Sequence, residues 1–247
     1  MSTVRAERQT AAQIASSRQK LRDNVNVQLV RDSASHREGV ENFAFIETDL
    51  MIGHAVVSHG FFDDRVIEFY LHPGFEGRAL ECLDALRRTT KVRELEAQTN
   101  LALPTWLVHA SCPCVEPHNV LFGDTDRYEL PLSDAVLRPA LPEDVIPETE
   151  EPTGTYVLEV RGEIVGSGGY LTHYNPPFAD VYMGIGTPFR GRGYGAWIVQ
   201  ELRRVAREHD YVPAARCNFG NHASCRSLLR GGFCLAGLII VGTVPEA

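Results

Sequence analysis

The residue types and spacings best suited to chemistry lie late in the chain, at Arg190-Gly191-Arg192-Gly193-Tyr194-Gly195. A strand running into this sequence and a helix leaving it would build an anion site. The glycines let the backbone turn tightly, so that several N–H groups point into one concavity, and the helix adds its positive N-terminal end. A pyrophosphate fits such a cradle, and Arg190 and Arg192 add charge that can pair with its oxygens. The spacing is neither the dinucleotide pattern, which needs Gly at the first position, nor the Walker pattern, which ends in Lys-Ser/Thr. Glycine-rich turns also occur without any ligand, so the loop needs a second feature beside it.

Groups able to move a proton stand just before this loop. Strand alternation through Asp180-Val181-Tyr182-Met183-Gly184-Ile185 puts Asp180, Tyr182 and Gly184 on one face. If that face meets a substrate, Asp180 could accept a proton directly or through water and Tyr182 could donate one. His173 and Tyr174, in the turn before Asn175-Pro176-Pro177, are further candidates, although a turn His and a strand Tyr also serve as ordinary surface and packing residues. Cys217 and Cys225 would suit a thiol relay or simple burial. Cys112-Pro113-Cys114 near His109 and His118 invites a metal, but the paired knuckle spacing of zinc sites is missing, and no metal is expected.

The elements that must position these groups follow from periodicity and punctuation. Thr155–Val160 and Ile164–Tyr170 read as a hairpin around Arg161-Gly162-Glu163, and Ala179–Ile185 as a third strand. Tyr194–His209 reads as a helix with Ile198, Leu202 and Val205 on one side. A short strand over Ala214–Cys217, a helix over Asn221–Arg230 closed by Gly231-Gly232, and a strand over Leu238–Val241 complete this half. The first half shows a similar order. A leading helix of mixed polarity over Thr10–Asn24, expected on the surface, precedes a hairpin of Phe43–Ile46 and Met51–Val57. Then come a strand at Val66–Leu71, a helix at Ala79–Arg88 and strands at Val92–Ala97 and Val120–Phe122. Sliding the halves by 116 residues sets Gly74-Phe75-Glu76-Gly77-Arg78-Ala79 on Arg190–Gly195 and Leu86-Arg87-Arg88 on Leu202-Arg203-Arg204. Between them, Pro131–Pro152 holds five prolines and six acidic residues and reads as a domain connection or a substrate-facing loop.

The loop resembles the pyrophosphate loop of the GNAT N-acetyltransferases, Arg/Gln-x-x-Gly-x-Gly/Ala. Asn221-His222-Ala223-Ser224, followed by Leu228, Leu229 and Gly232-Phe233, resembles that family's second cofactor helix, Asn-x-x-Ala/Ser ending in Gly-Phe. The likeness extends from about residue 136 to the end. It implies an α/β fold with two GNAT-like domains in tandem, each a central mixed sheet flanked by helices. A degenerate domain would cover 1–132 and an acyl-CoA-binding catalytic domain 133–247. It also implies acetyl-CoA or another acyl-CoA as donor. The backbone of Met183 and Ile185 would pair with the pantetheine arm, the amides of Gly191, Arg192, Gly193, Tyr194, Gly195 and Ala196 would hold the pyrophosphate, and Asn221 and Ser224 would face the cofactor. Leu228 stands where the family often has an acidic Tyr, seven residues after the Asn, and the usual base on the preceding strand is doubtful. In the first half Gly74 replaces Arg190 and Glu76 replaces Arg192, and a carboxylate there would repel a pyrophosphate.

Composition bounds the partners. The 247 residues carry 32 acidic against 24 basic side chains, a formal charge of −8, which argues against a nucleic-acid surface and suits a small amine acceptor. The first 22 residues contain no apolar stretch resembling a signal sequence, and no run approaches the roughly 18 apolar residues of a membrane span. The expectation is a cytoplasmic enzyme, monomer or homodimer, acting on a small-molecule amine. A non-catalytic acyl-CoA sensor is the alternative.

Overall fold

A computed structural model describes residues 3–60, 62, 64–126, 130, 134–149 and 151–245. The expected boundary between 132 and 133 lies outside the described residues, as do Pro131 and Glu150 of the proline-rich segment. Contacts divide the chain into two units, one of residues up to His118 together with those from Gly237 onward, the other Asn119–Ala236. The division does not follow one cut because two strands change sides. β6 (Cys114–Gly123) sends residues 119–123 into the second unit, where they pair with β11 (Val212–Asn218). The end of β12 (Cys234–Thr243) pairs in the first unit with β5 (Glu94–Gln98).

In the first unit β1 (Arg5–Gln9), β2 (Val40–Glu47), β3 (Leu50–Ser58) and β4 (Arg65–Leu71) pair antiparallel in succession. The β2–β3 turn places both Thr48 and Asp49 at positive φ, the two left-handed residues that a tight hairpin requires. β4 and β5 are parallel but pair only at Arg65–Glu94 and Val66–Leu95. α2 (Ala79–Thr89) buries Ala79, Cys82, Leu83, Ala85 and Leu86, joining Phe43, Phe45, Ile52 and Phe69 in one apolar core.

The leading helix differs from expectation. Its first five residues, 10–14, form the turn that follows β1, and α1 (Ala15–Asp23) is not a surface helix, because Ser17 and Arg18 are buried. Arg18 donates to Glu68 at 2.8 Å, Ser35 at 2.5 Å and the Asp32 carbonyl at 2.6 Å. A fully hydrogen-bonded cation can be enclosed, and polarity alone then gives a false surface signal. α3 (Ala102–Ser111) was absent from the sequence reading. Pro104 falls in its first turn, where no intrahelical N–H bond is lost. Cys112 follows it, buried, with burial pushing its thiol up to about 11. Among the described residues no group of three or more His, Cys, Asp or Glu could hold a metal ion.

The second unit repeats the pattern. β7 (Ala135–Pro139), β8 (Tyr156–Val160), β9 (Glu163–Leu171) and β10 (Phe178–Ile185) pair antiparallel in succession, and β10 runs parallel to β11. The β8–β9 turn again carries two left-handed residues, Arg161 and Gly162. α4 (Tyr194–Glu208) lays Ile198, Leu202 and Ala206 against the sheet, all fully buried. The fully buried Arg203 donates to Asp124 at 2.7 Å and to the Gly231 carbonyl at 2.7 Å, and it also reaches the Thr125 carbonyl. α5 (His222–Arg230) follows β11. Among the described residues no helix is long and apolar enough to cross a membrane.

Candidate active site

The site begins where two strands part. β10 and β11 are paired over Phe178–Asp180 and Val212–Ala214 and no further, while β10 stays bonded to β9 as far as Ile185. The gap between the parting strands is a cavity of about 290 Å³, lined by Val181, Tyr182 and Met183 on one side and Arg216, Cys217 and Asn218 on the other. A second cavity of about 590 Å³ lies over the loop after β10. The two share Glu151, Met183, Asn221 and Ser224 among their lining residues.

The loop has the geometry of an anion cradle. Gly191 and Gly193 sit at φ of +78° and +86°, where a side chain would be strained, and Gly193 caps α4. Among the described residues no backbone acceptor takes the amides of Gly191, Arg192, Gly193, Tyr194 or Gly195, whereas the Ala196 amide already donates to the Gly193 carbonyl at 3.1 Å. Gly195 is needed for close packing, since a Cβ there would stand 3.0 Å from Ser227 Oγ and 3.3 Å from Met183 Cε. Arg190 lines the larger cavity but turns its Nε to the Ile185 carbonyl at 3.0 Å, tying the loop to the end of β10. Arg192 donates to the Pro188 carbonyl at 3.3 Å and does not line the cavity. The cations that do, beside Arg190, are Arg226 and Arg230 of α5. The sequence reading passed over both. Arg230 has a signal in helical spacing, since Ser224, Ser227 and Arg230 recur every three residues from Asn221 and lie on the cavity side, whereas Arg226 falls outside that series.

Asn221 is both a cap and a lining residue. Its Oδ1 accepts the Ser224 amide at 3.0 Å, which frees the first turn of α5 to face the cavities with small side chains.

The candidate proton carriers separate by position. Asp180 is buried at the apex of the parting strands, accepts the Tyr174 hydroxyl at 3.2 Å and lies 3.4 Å from Arg216 Nη1. Arg216 stacks over the Tyr174 ring, 5.3 Å from its centroid. Burial raises the Tyr174 pKa, and the Asp180 charge raises it further. Tyr182 lies across Gly169, half-buried, and its pKa is raised by burial and then by the Glu151 carboxylate. His173 is exposed, stacks on Tyr174 at 4.3 Å between centroids and lines neither cavity. Thr149 packs where Gly184 has no side chain, so part of the acidic segment between β7 and β8 covers this face of β10 and brings Glu151 to the junction of the cavities. Leu228, buried, lines the smaller cavity. Burial pushes the Cys217 thiol up to about 11, with Cys225 adding to the shift.

The model of the acetyltransferase (GNAT) family matches residues 124–233, the segment that holds every group just described. Residues 124–233 are a GNAT acetyltransferase domain. The whole chain is similar in fold to a GNAT-family acetyltransferase from Colwellia psychrerythraea, with a TM-score of 0.74 and 13% identity over 98% of this chain and 100% of that one. It is similar to a GCN5-related N-acetyltransferase from Sphaerobacter thermophilus, at a TM-score of 0.60 and 14% identity over 99% of this chain and 97% of that one. A tandem GNAT protein from the clavulanic acid biosynthesis pathway matches at 0.56 and 13% identity over 99% of each chain. No curated protein matched. The tandem GNAT architecture expected from the sequence is therefore the fold observed. Family and fold support acyl transfer as the class of reaction, and GNAT proteins generally bind acetyl-CoA.

In the first unit's counterpart of the GNAT loop the amides of Phe75 and Arg78 donate to the carbonyls of His72 and Phe75. There the Glu76 carboxylate accepts the Gly74 amide at 2.8 Å, so the protein's own anion occupies that position. Arg78, one turn on, is held by Glu47 and Glu81.

Proposed function

We propose that the GNAT domain transfers an acetyl or other acyl group from acyl-CoA to a primary amine of a small molecule, directly and in a ternary complex. The observation that carries this reading is the pair of cavities joined through Glu151, Met183, Asn221 and Ser224. One end offers unpaired amides, Arg190, Arg226 and Arg230 to the phosphates. The other is the gap between parting strands, where the thioester lies beside Tyr182, and Met183, which lines both cavities, and Ile185, which lines the larger, meet the pantetheine arm.

A neutral amine attacks the thioester carbonyl carbon, the C–S bond breaks, and the thiolate takes up a proton. Asp180, through water, and Glu151 at the junction are the carboxylates able to take the amine proton. Tyr182, kept protonated by its raised pKa, is the donor nearest the thioester. A covalent relay through Cys217 is disfavoured, because a thiol near 11 is almost wholly protonated at neutral pH. The carboxylates of the covering segment and the chain's net charge of −8 favour a cationic acceptor.

Leu228 gives one specific reason for a second reading. It stands at the smaller cavity where the resemblance implies a tyrosine acid, as in a binding module without turnover. Calorimetric titration of acetyl-CoA, followed on the same sample by free-thiol release across a panel of amines, separates the two. Saturable binding at one site with thiol release for some amine is the result expected. Binding without release for any amine supports the sensor, and absence of binding removes both readings.

A further inference from the structure

The first unit has a cavity of its own, and the loop that denies it a pyrophosphate does not close it. β4 and β5 part after Val66 and Leu95, and the space that opens is about 230 Å³. Its walls are apolar, with Leu21, Val25 and Leu29 on one side and Leu101 and Leu103 on another. Since a cavity of about 150 Å³ holds benzene, this one holds about nine heavy atoms.

The charged groups at the walls are already paired. Arg31, the one cation lining the cavity among the described residues, is bound by both oxygens of Glu96 at 2.6 and 2.9 Å. Glu68 is held by Arg18 at 2.8 Å and by His54 at 2.9 Å. These neutralised pairs leave the mouth to set the sign of the potential. Glu76 is exposed there, and the carboxylates of Glu76 and Asp23 both act on the Tyr70 hydroxyl, adding to the effect of burial in raising its pKa. The Tyr70 oxygen accepts from Asn24 at 3.1 Å, which places two neutral hydrogen-bonding groups beside the carboxylate at the opening.

We propose that this cavity is a second ligand site, which takes a compact hydrophobic primary amine with its apolar body between the parted strands and its ammonium at Glu76 and Tyr70. An acyl-CoA is excluded because its phosphates would meet Glu76. A fatty carboxylate of the same size is disfavoured by the same charge, since an anion brought into a low-dielectric opening beside a carboxylate pays both repulsion and desolvation. The site is independent of the chemistry assigned to residues 124–233.

Equilibrium dialysis of the full chain against n-octylamine, 1-octanol and octanoate tests it, with acetyl-CoA as a fourth ligand. To keep the cofactor cavity out of the measurement, the Arg190→Glu/Gly193→Asp chain is measured beside the natural one, and variants that fill the first unit's cavity separate amine held there from amine held in the acceptor gap of the GNAT domain. Octylamine is expected to bind both chains saturably, at least tenfold more tightly than octanoate and severalfold more tightly than octanol. Leu101→Trp fills the cavity and abolishes this binding. Val25→Phe carries the same expectation should that variant fail to fold. Glu76→Gln reduces the preference for amine over octanol to near unity. Octylamine binding that survives both filling variants, octanoate binding as tight as the amine, loss of amine binding in the Arg190→Glu/Gly193→Asp chain, or no saturable amine binding overturns the proposal.

Discussion

Two loops in equivalent places, Gly74–Ala79 and Arg190–Gly195, follow strands that part in the same way and lead into helices of similar burial. In one, a glutamate side chain accepts the first loop amide. In the other, five consecutive amides have no backbone acceptor among the described residues. The loops agree only at Gly77 and Gly193, and the exchange of Glu76 for Arg192 at their centre sets an acid-capped turn against an anion cradle. A common scaffold therefore does not imply a common ligand. What the loop amides already hold decides whether phosphate can enter.

The sharpest break of this comparison is to reverse the second loop. Arg190→Glu with Gly193→Asp is expected to abolish acetyl-CoA binding by calorimetry while circular dichroism stays unchanged, and Gly74→Asp in the first unit is expected to leave the affinity as it was. Next comes the pair related by the same offset, Arg203 and Arg87. Arg203→Ala strips the buried Gly231 carbonyl of its donor and leaves Arg207 to hold Asp124 and the Thr125 carbonyl, and should cost about 3 kcal/mol in denaturant unfolding. Arg87→Ala loses one exposed contact to the Pro245 carbonyl and should stay within about 0.5 kcal/mol.

A smaller effect separates the units by pH. Burial alone would raise the Glu68 carboxyl, but the His54 hydrogen bond and the Arg18 charge outweigh it and hold the group at about 2, below its ordinary 4.5. A depressed folded value means stability that is complete above pH 4.5 and is lost as pH falls from there toward 2. The expected loss is on the order of 2–3 kcal/mol, and Glu68→Gln should flatten that part of the profile. The mildest test lies on α5. Arg230→Ala should weaken acetyl-CoA binding about tenfold, or about 1.4 kcal/mol, with the loss shrinking at high salt.

Much of this architecture is legible in the sequence. The helix expected at Tyr194–His209 is observed at Tyr194–Glu208, and that expected at Asn221–Arg230 starts one residue later with Asn221 as its cap. Strong helical periodicity bounded by glycine made them plain. β7 was hidden because its five residues lie among prolines at the edge of the sheet, and α3 because its first turn carries one. The site was less legible than the fold. The glycine loop announced itself locally, whereas Arg226 and Arg230 gain meaning only when α5 is laid beside that loop. Glu151 was seen only as one acid in a proline-rich stretch, since the packing of Thr149 over Gly184 that carries it to the cavities has no signature in the sequence.

The strands that change sides make the halves interdependent in time as well as in space. Residues 239–243 complete the first unit's pairing with β5, yet they are made after every residue of the GNAT domain. A ribosome that has released the first 118 residues has supplied that unit's core but left the outer edge of β5 without its partner. Exposed strand edges invite wrong pairing, so this edge should be most vulnerable to aggregation until residues 239–243 have been made, and their deletion should injure the unit that precedes the GNAT domain.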